Sequence, residues 1–187
     1  MSLKQKAPRK KAVRSASVNV SDAPKAPMLR NIRPMLASPA ERPFDHPDWL
    51  FEVKWDGYRA IAEVEGGQVR LYSRNLLPFH RRYSPIVNSL ERLGHDAVLD
   101  GEIVVVDGTG KPRFQLLQSY QMTGQGALVY QVFDLLYLDG HDLRNLPLLR
   151  RKELLAGLLE QLPNVKLVAG ALTVPGRSVL MTLVVIC

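Results

Sequence analysis

Cysteine is almost missing: Cys187, the last of 187 residues, is the only one. No disulfide can form within the chain, which fits a reducing compartment. Acidic side chains are scarce at both ends. Residues 1–27 hold Asp22 alone against seven lysines and arginines, a net +6 of the formal +7, which leaves +1 for the body. Long apolar runs are lacking too. The apolar stretch from Val179 to Cys187 is nine residues, well short of the roughly 20 that a membrane span needs. No apolar segment follows the N-terminal cations as it would in a secretory leader. His46, His80, His95 and His141 have no cysteine partners and no metal-ligand spacing, so zinc is not implied. These absences point to a cytoplasmic chain that does not enter membrane.

What is present suffices for one core, since 46% of the residues are hydrophobic and the length suits one domain or slightly more. Residues 1–27 carry Ala, Ser and Pro between their cations and too little apolar area to offset ordering, so they read as a flexible tail. Two uses for it stay open: solvation, or an electrostatic arm for nucleic acid. A proline-rich lead-in follows, expected to run extended over the body. "WLFEVKW" reads as a strand ending at Asp56-Gly57. "YRAIAEVEGGQVRLYSR" reads as a hairpin about Gly66-Gly67. "SPIVNSLERLG" suits a helix capped by Ser84, with Pro85 in its first turn and Gly94 beyond its end. "AVLDGEIVVVDGTGKPRF" reads as a second hairpin, "RFQLLQSYQM" as a short helix and "ALVYQVFDLLYLDG" as a buried strand. "LPLLRRKELLAGLLEQL" has the leucine spacing of an amphipathic helix, with its charges between the leucines. The expectation is an α+β chain built mainly from antiparallel hairpins. Its divisions are a basic tail (1–27), a body (28–167) and an atypical apolar end (168–187) that suits a poorly specified, sticky strand.

In "FEVKWDGYRA" a lysine stands between Val53 and Trp55, directly before an Asp-Gly turn. An ammonium cannot attack; only the neutral amine can, and the ordinary pKa is about 10.4. Partial burial beside Val53 and Trp55, with Arg59 or Arg74 nearby, would favour the neutral form. Gly57 would let backbone approach a ligand. Taken alone, the stretch also fits a surface lysine before an ordinary turn.

"KWDGYR" fits the pattern Lys-x-Asp-Gly-x-Arg, four fixed residues that recur by chance in a chain of this length about once in a thousand. It resembles the nucleophile motif of covalent nucleotidyltransferases, the ATP-dependent DNA ligases and RNA capping enzymes. "LYSRN", "LDGEIVVVD" and "VFDLLYLDG" follow in the family's order. With the lead-in and "RRKELLAGLLEQL", residues 32–167 resemble the ligase module of bacterial multi-domain end-joining ligases. The likeness implies an antiparallel-sheet nucleotidyltransferase (ATP-grasp-like adenylation) domain that uses ATP and magnesium and acts on nicked or broken duplex DNA, as a monomer, with a companion domain or repair protein. It implies Lys54 as the nucleophile that takes AMP from ATP, and Glu52 as the reader of the adenine amino group. Arg59 and Arg74 would lie near ribose and phosphate, Glu102 would contact the ribose hydroxyl and help hold the metal, and Phe133 would stack on adenine.

Two departures qualify the likeness. Leu76 stands where the second motif usually has glycine. After Lys166 there is no Asp, Glu or Lys, so the family's second metal carboxylate, its phosphate-gripping lysines and its oligonucleotide-binding barrel are not found there. The expectation is an incomplete adenylation domain, impaired in sealing nicks. A non-catalytic nucleotide- or DNA-binding remnant is the alternative. A capping-type guanylyltransferase fits less well, because the lead-in, Glu52 and the end of the third motif look ligase-like.

Overall fold

The computed structural model describes residues 20–36, 49–168, 170–171 and 183–186. The first strand, β1 (Leu50–Val53), ends before Lys54. The hairpin β2 (Tyr58–Glu65) and β3 (Gln68–Ser73) forms as the sequence predicts. Its turn places Gly66 at φ 55° and Gly67 at φ 78°, the paired left-handed conformation that matches strand twist. Helix α1 (Ser84–Leu90) has Pro85 in its first turn, and Gly94 lies beyond its end at φ 76°. Ser84 is not the cap, however. Tyr83 holds that position with no side-chain capping bond, because its fully buried ring is fixed by edge-on packing against Phe79.

The expected second hairpin does not form. β4 (Ala97–Val106) is a single ten-residue strand, and only the isolated bridge Val106–Pro112 follows its turn. Asp107 explains this, since its carboxylate accepts from the Thr109 and Lys111 backbone N–H groups and from Arg113 Nε (2.7 Å). The chain is thereby turned directly into α2 (Phe114–Thr123). β5 (Ala127–Leu138) and the short β6 (His141–Asp142) follow, then α3 (Leu148–Leu159) and β7 (Val165–Leu167).

The main sheet has the order β3-β2-β4-β5-β6, antiparallel throughout, with β7 added parallel to β5. A second sheet places β1 between β8 (Gly170–Ala171) and β9 (Leu183–Ile186), so backbone from the apolar C-terminal stretch is paired with the strand before Lys54. The main core lies where Leu71, Leu99, Ile103, Tyr130 and Val132 meet Ile86, Leu117, Leu155 and Leu158 of the three helices.

The lead-in covers the other face, where Met28, Leu29 and Ile32 pack on Ile61, Tyr72, Val98 and Tyr137. Buried Glu63 anchors it. One carboxylate oxygen accepts from the Asn31 N–H and the Tyr72 hydroxyl (2.7 Å each), and the other pairs with Arg70 at 2.7 Å. The Tyr72 hydroxyl also accepts from the Ile32 N–H at 2.9 Å. Val20 to Ala26, assigned by sequence to the tail, lie against the β5–β6 turn, with Ala23 buried and the Ala26 N–H bonded to Gly140 O. Residues 1–19 and 37–48 fall outside the described residues.

Tyr72→Phe removes one oxygen and leaves the Ile32 N–H without its acceptor, which is expected to cost about 1–3 kcal/mol. Arg30→Ala, on a more exposed side chain that pairs with Glu63 and Glu65, is expected to cost less than about 1 kcal/mol. Urea unfolding midpoints of the two variants check the order.

Candidate nucleotide site

Two irregularities in the β4–β5 ladder build the site. Asp100 pairs with Asp134 but Gly101 pairs with Val132, so Phe133 is an extra residue on β5; a second shift lies between Val98 and Leu99. A bulge of this kind re-aims side chains beside functional sites. Gly101 makes room for it, since a Cβ there would come within 2.7 Å of Tyr130 Cε2. The buried Tyr130 ring fills that space, its hydroxyl lying 2.9 Å from Ala60 O and 3.1 Å from Leu99 O. Gly57 is needed for a similar reason, because any Cβ there would strike the Ile103 carbonyl oxygen. The close neighbour of Gly57 in the fold is thus β4 backbone.

Arg59, Glu102 and Gln131 are direct cross-strand neighbours, and Lys166 continues the row on β7. The Arg59 guanidinium grips Asp100 with two bonds, Nε–Oδ1 2.6 Å and Nη2–Oδ2 2.8 Å, and lies 4.2 Å above the Phe133 ring. Nη1 bonds to no other described residue. Phe133 is therefore a half-buried ring with a cation on one face rather than plain core.

Glu52 is buried on β1 with 3% exposure and forms an ion pair with Lys152 of α3. The preceding helix residue, Arg151, holds Asp134 through Nε–Oδ1 (2.7 Å) and Nη2–Oδ2 (3.0 Å). Three cations thus meet four acids, Glu52, Asp134, Asp100 and Glu102. The acid left over is Glu102. Burial pushes its pKa from about 4.5 up to about 7, against the pull of Arg59 and the Gly57 N–H, while Asp100 and Asp56 add to the rise.

Lys54 is exposed, not partly buried as the sequence suggested. Arg74 is also exposed, at the turn after β3. Ser73 Oγ accepts there from the Asn75 and Leu77 N–H groups, and Leu76 takes φ 64°. The backbone has kept the left-handed conformation that glycine adopts easily, at a cost of about 1–2 kcal/mol for a side-chain-bearing residue. The structure therefore unites Arg59, Glu102 and Phe133 directly, and Glu52 through Lys152. It leaves Lys54 and Arg74 without a hydrogen bond or ion pair among the described residues.

Sequence reading missed Asp100, Asp134, Arg151 and Lys152. The signal was there for Arg151 and Lys152, which sit on the leucine side of α3 and are buried. Among the described residues no three His, Cys, Asp or Glu side chains cluster around a metal position, and no helix is long and apolar enough to cross a membrane. His95 and His141 contact the Asp139 side chain and carbonyl.

Comparisons with known proteins give a family and several relatives. The family model of the ATP-dependent DNA ligase domain matches residues 34–176. The multifunctional non-homologous end joining protein LigD of Pseudomonas aeruginosa is 42% identical over 138 residues, which cover 73% of this chain and 16% of that protein. The prophage-derived DNA ligase-like protein LigB of Bacillus subtilis is 33% identical over 141 residues, 74% of this chain and 52% of LigB. The crystal structure of the Mycobacterium tuberculosis LigD ligase domain superposes with TM-score 0.58 at 36% identity, over 68% of this chain and 41% of that one. A mycobacterial DNA ligase D complexed with ATP and MES also matches, with TM-score 0.58 at 36% identity over 65% of this chain and 40% of that one. The chain thus spans well under two thirds of these relatives.

A carboxyl whose pKa is raised on folding stabilises the fold while protonated, and that contribution is lost as pH rises through the folded value. Stability should therefore fall between pH 5 and pH 7, and Glu102→Gln should flatten the slope, by at most about 3 kcal/mol across the range. Thermal or urea unfolding at both pH values measures it.

Proposed function

Because this chain belongs to the ATP-dependent DNA ligase domain family, we propose that it forms lysyl-AMP at Lys54, the first step of sealing DNA nicks in repair or recombination. The observation that carries the reading is the convergence of Phe133, Arg59 and Glu102 at the β4–β5 bulge, with Glu52 two residues before the exposed Lys54.

In this reading adenine stacks on the Phe133 face opposite Arg59, and Glu52 accepts from its exocyclic amine. Strand alternation carries Lys54 to the same side as Glu52, nearer solvent, where the triphosphate lies. The Lys54 amine, once its proton is lost to solvent, attacks the α-phosphorus; the bond to pyrophosphate breaks and a phosphoramidate forms. Arg59 Nη1 and Arg74 supply guanidinium donors to ribose and phosphate oxygens.

Glu102 is the residue that fits magnesium. It is the carboxylate without a cation of its own, Asp56 adds negative charge beside it, and magnesium takes one or two carboxylates with phosphates and water completing its shell. When bound, the metal would neutralise phosphate charge. A carboxylate that titrates near 7 binds a cation better as pH rises above that value.

Nicked or broken duplex is the proposed substrate of the whole ligase. For this chain the reading covers the adenylation step. The division into a basic tail, a body and an apolar end at about residues 27 and 167 belongs to the same proposal, with Val20 to Ala26 packed on the body.

Intact mass after incubation with ATP and magnesium is expected to show an AMP adduct that is lost in Lys54→Ala. ATP binding without an adduct would favour the non-catalytic reading, and an adduct formed from GTP in preference to ATP would favour a capping-type enzyme.

A further inference from the structure

Lys152 is the least expected group near the site. It is a lysine inside α3 with 10% side-chain exposure, and it has three acceptors for its three N–H donors: Phe133 O at 2.8 Å, Val168 O at 3.4 Å and the Glu52 carboxylate. An ammonium so committed is unsuited to attack or to gripping phosphate. What it touches is informative: the carbonyl of the bulged residue that carries the stacking ring, and the carboxylate two residues before the proposed nucleophile.

Building on the nucleotide-site reading above, we propose that Lys152 is a positioning residue that sets purine selectivity by holding Glu52 as an ionised carboxylate, so that the site accepts adenine and rejects guanine. The chemistry is one of donors and acceptors. An ionised carboxylate only accepts, so its second oxygen pairs with the 6-amino group of adenine and opposes the 6-oxo group of guanine. A protonated carboxyl carries a donor, and that donor satisfies the guanine oxygen.

Burial favours the protonated form. It raises the pKa of Glu52, the bond and charge of Lys152 oppose the rise, and the neighbouring Asp134 on β5 adds to it. Asp134 is itself held by Arg151 of α3. Lys152 is therefore the only cation that pairs with Glu52 among the described residues, and removing it leaves burial and Asp134 to favour the neutral acid.

The test is the ratio of ATP to GTP affinity, measured by equilibrium dialysis from pH 6 to pH 9 on the full chain and on Lys152→Met. The unaltered chain should keep a constant preference for ATP. In Lys152→Met the preference should fall about tenfold at pH 6, the size of one charge-assisted hydrogen bond, and recover as pH rises and Glu52 ionises.

An unchanged ratio, or an equal loss of both nucleotides at every pH, would show that Lys152 only supports the fold and would overturn the proposal. Failure of the unaltered chain to bind ATP would overturn the nucleotide-site reading as well. Should Lys152→Met not fold, the carboxyl carbon-13 shift of Glu52 in the unaltered chain decides. An ionised group at pH 7 is expected, and a protonated one rules the role out.

Discussion

Two neighbouring cations on α3 govern where two separate strands meet. Arg151 holds Asp134 on β5, and Lys152 reaches Glu52 on β1 together with the Phe133 and Val168 carbonyls. Charges leave water at a cost of several kcal/mol each, and removing one partner of such a buried pair typically costs about 3–5 kcal/mol. The helix, the bulged strand and the strand before Lys54 are thus bound to one arrangement. Lys152 joins the second sheet to the first, through Glu52 and the Phe133 carbonyl.

Around that constraint the site is assembled from exceptions to regular structure. Phe133 lies free of the cross-strand register because β5 carries an extra residue opposite β4. Gly57 and Gly101 stand where side chains would collide with neighbouring strands. Of the four acids Glu52, Asp134, Asp100 and Glu102, only Glu102 has no cation of its own, and the magnesium proposal rests on that. Each exception costs stability, and together they give an aromatic face, an acceptor and an ionisable carboxylate within one patch of sheet.

Much of this was legible in the residues. Gly66-Gly67 between β-rich runs announced the first hairpin, and "ALVYQVFDLLYL" announced the buried strand, because turn chemistry and apolar patterning act locally. The motif residues could be named, but their partners could not. Arg151 and Lys152 fall on the leucine side of α3, but the acids of distant strands that make their burial tolerable cannot be read from the helix itself. The extra residue at Phe133 depends on pairing between β4 and β5, which alternation alone does not encode. The second hairpin failed for the opposite reason: Val106–Pro112 was judged by β propensity, while Asp107 and its bonds to Thr109, Lys111 and Arg113 favoured a turn into a helix. Ser84 was a sound cap by type, but the buried Tyr83 ring took the position.

The pairing of β1 has a further consequence, for the order in which the molecule comes into being. Phe51 finds its partner in Ala171, 120 residues further along the chain, and Leu50 finds Ile186. The β2–β3 hairpin and the β4–β5 pair have all their residues as soon as Leu138 leaves the ribosome, whereas the strand leading to Lys54 must wait for Ala171 and Ile186. Contacts so distant in sequence carry the largest loop-closure entropy and form late. The edge that leads to Lys54 is therefore late to mature during synthesis, and until then it presents unpaired backbone.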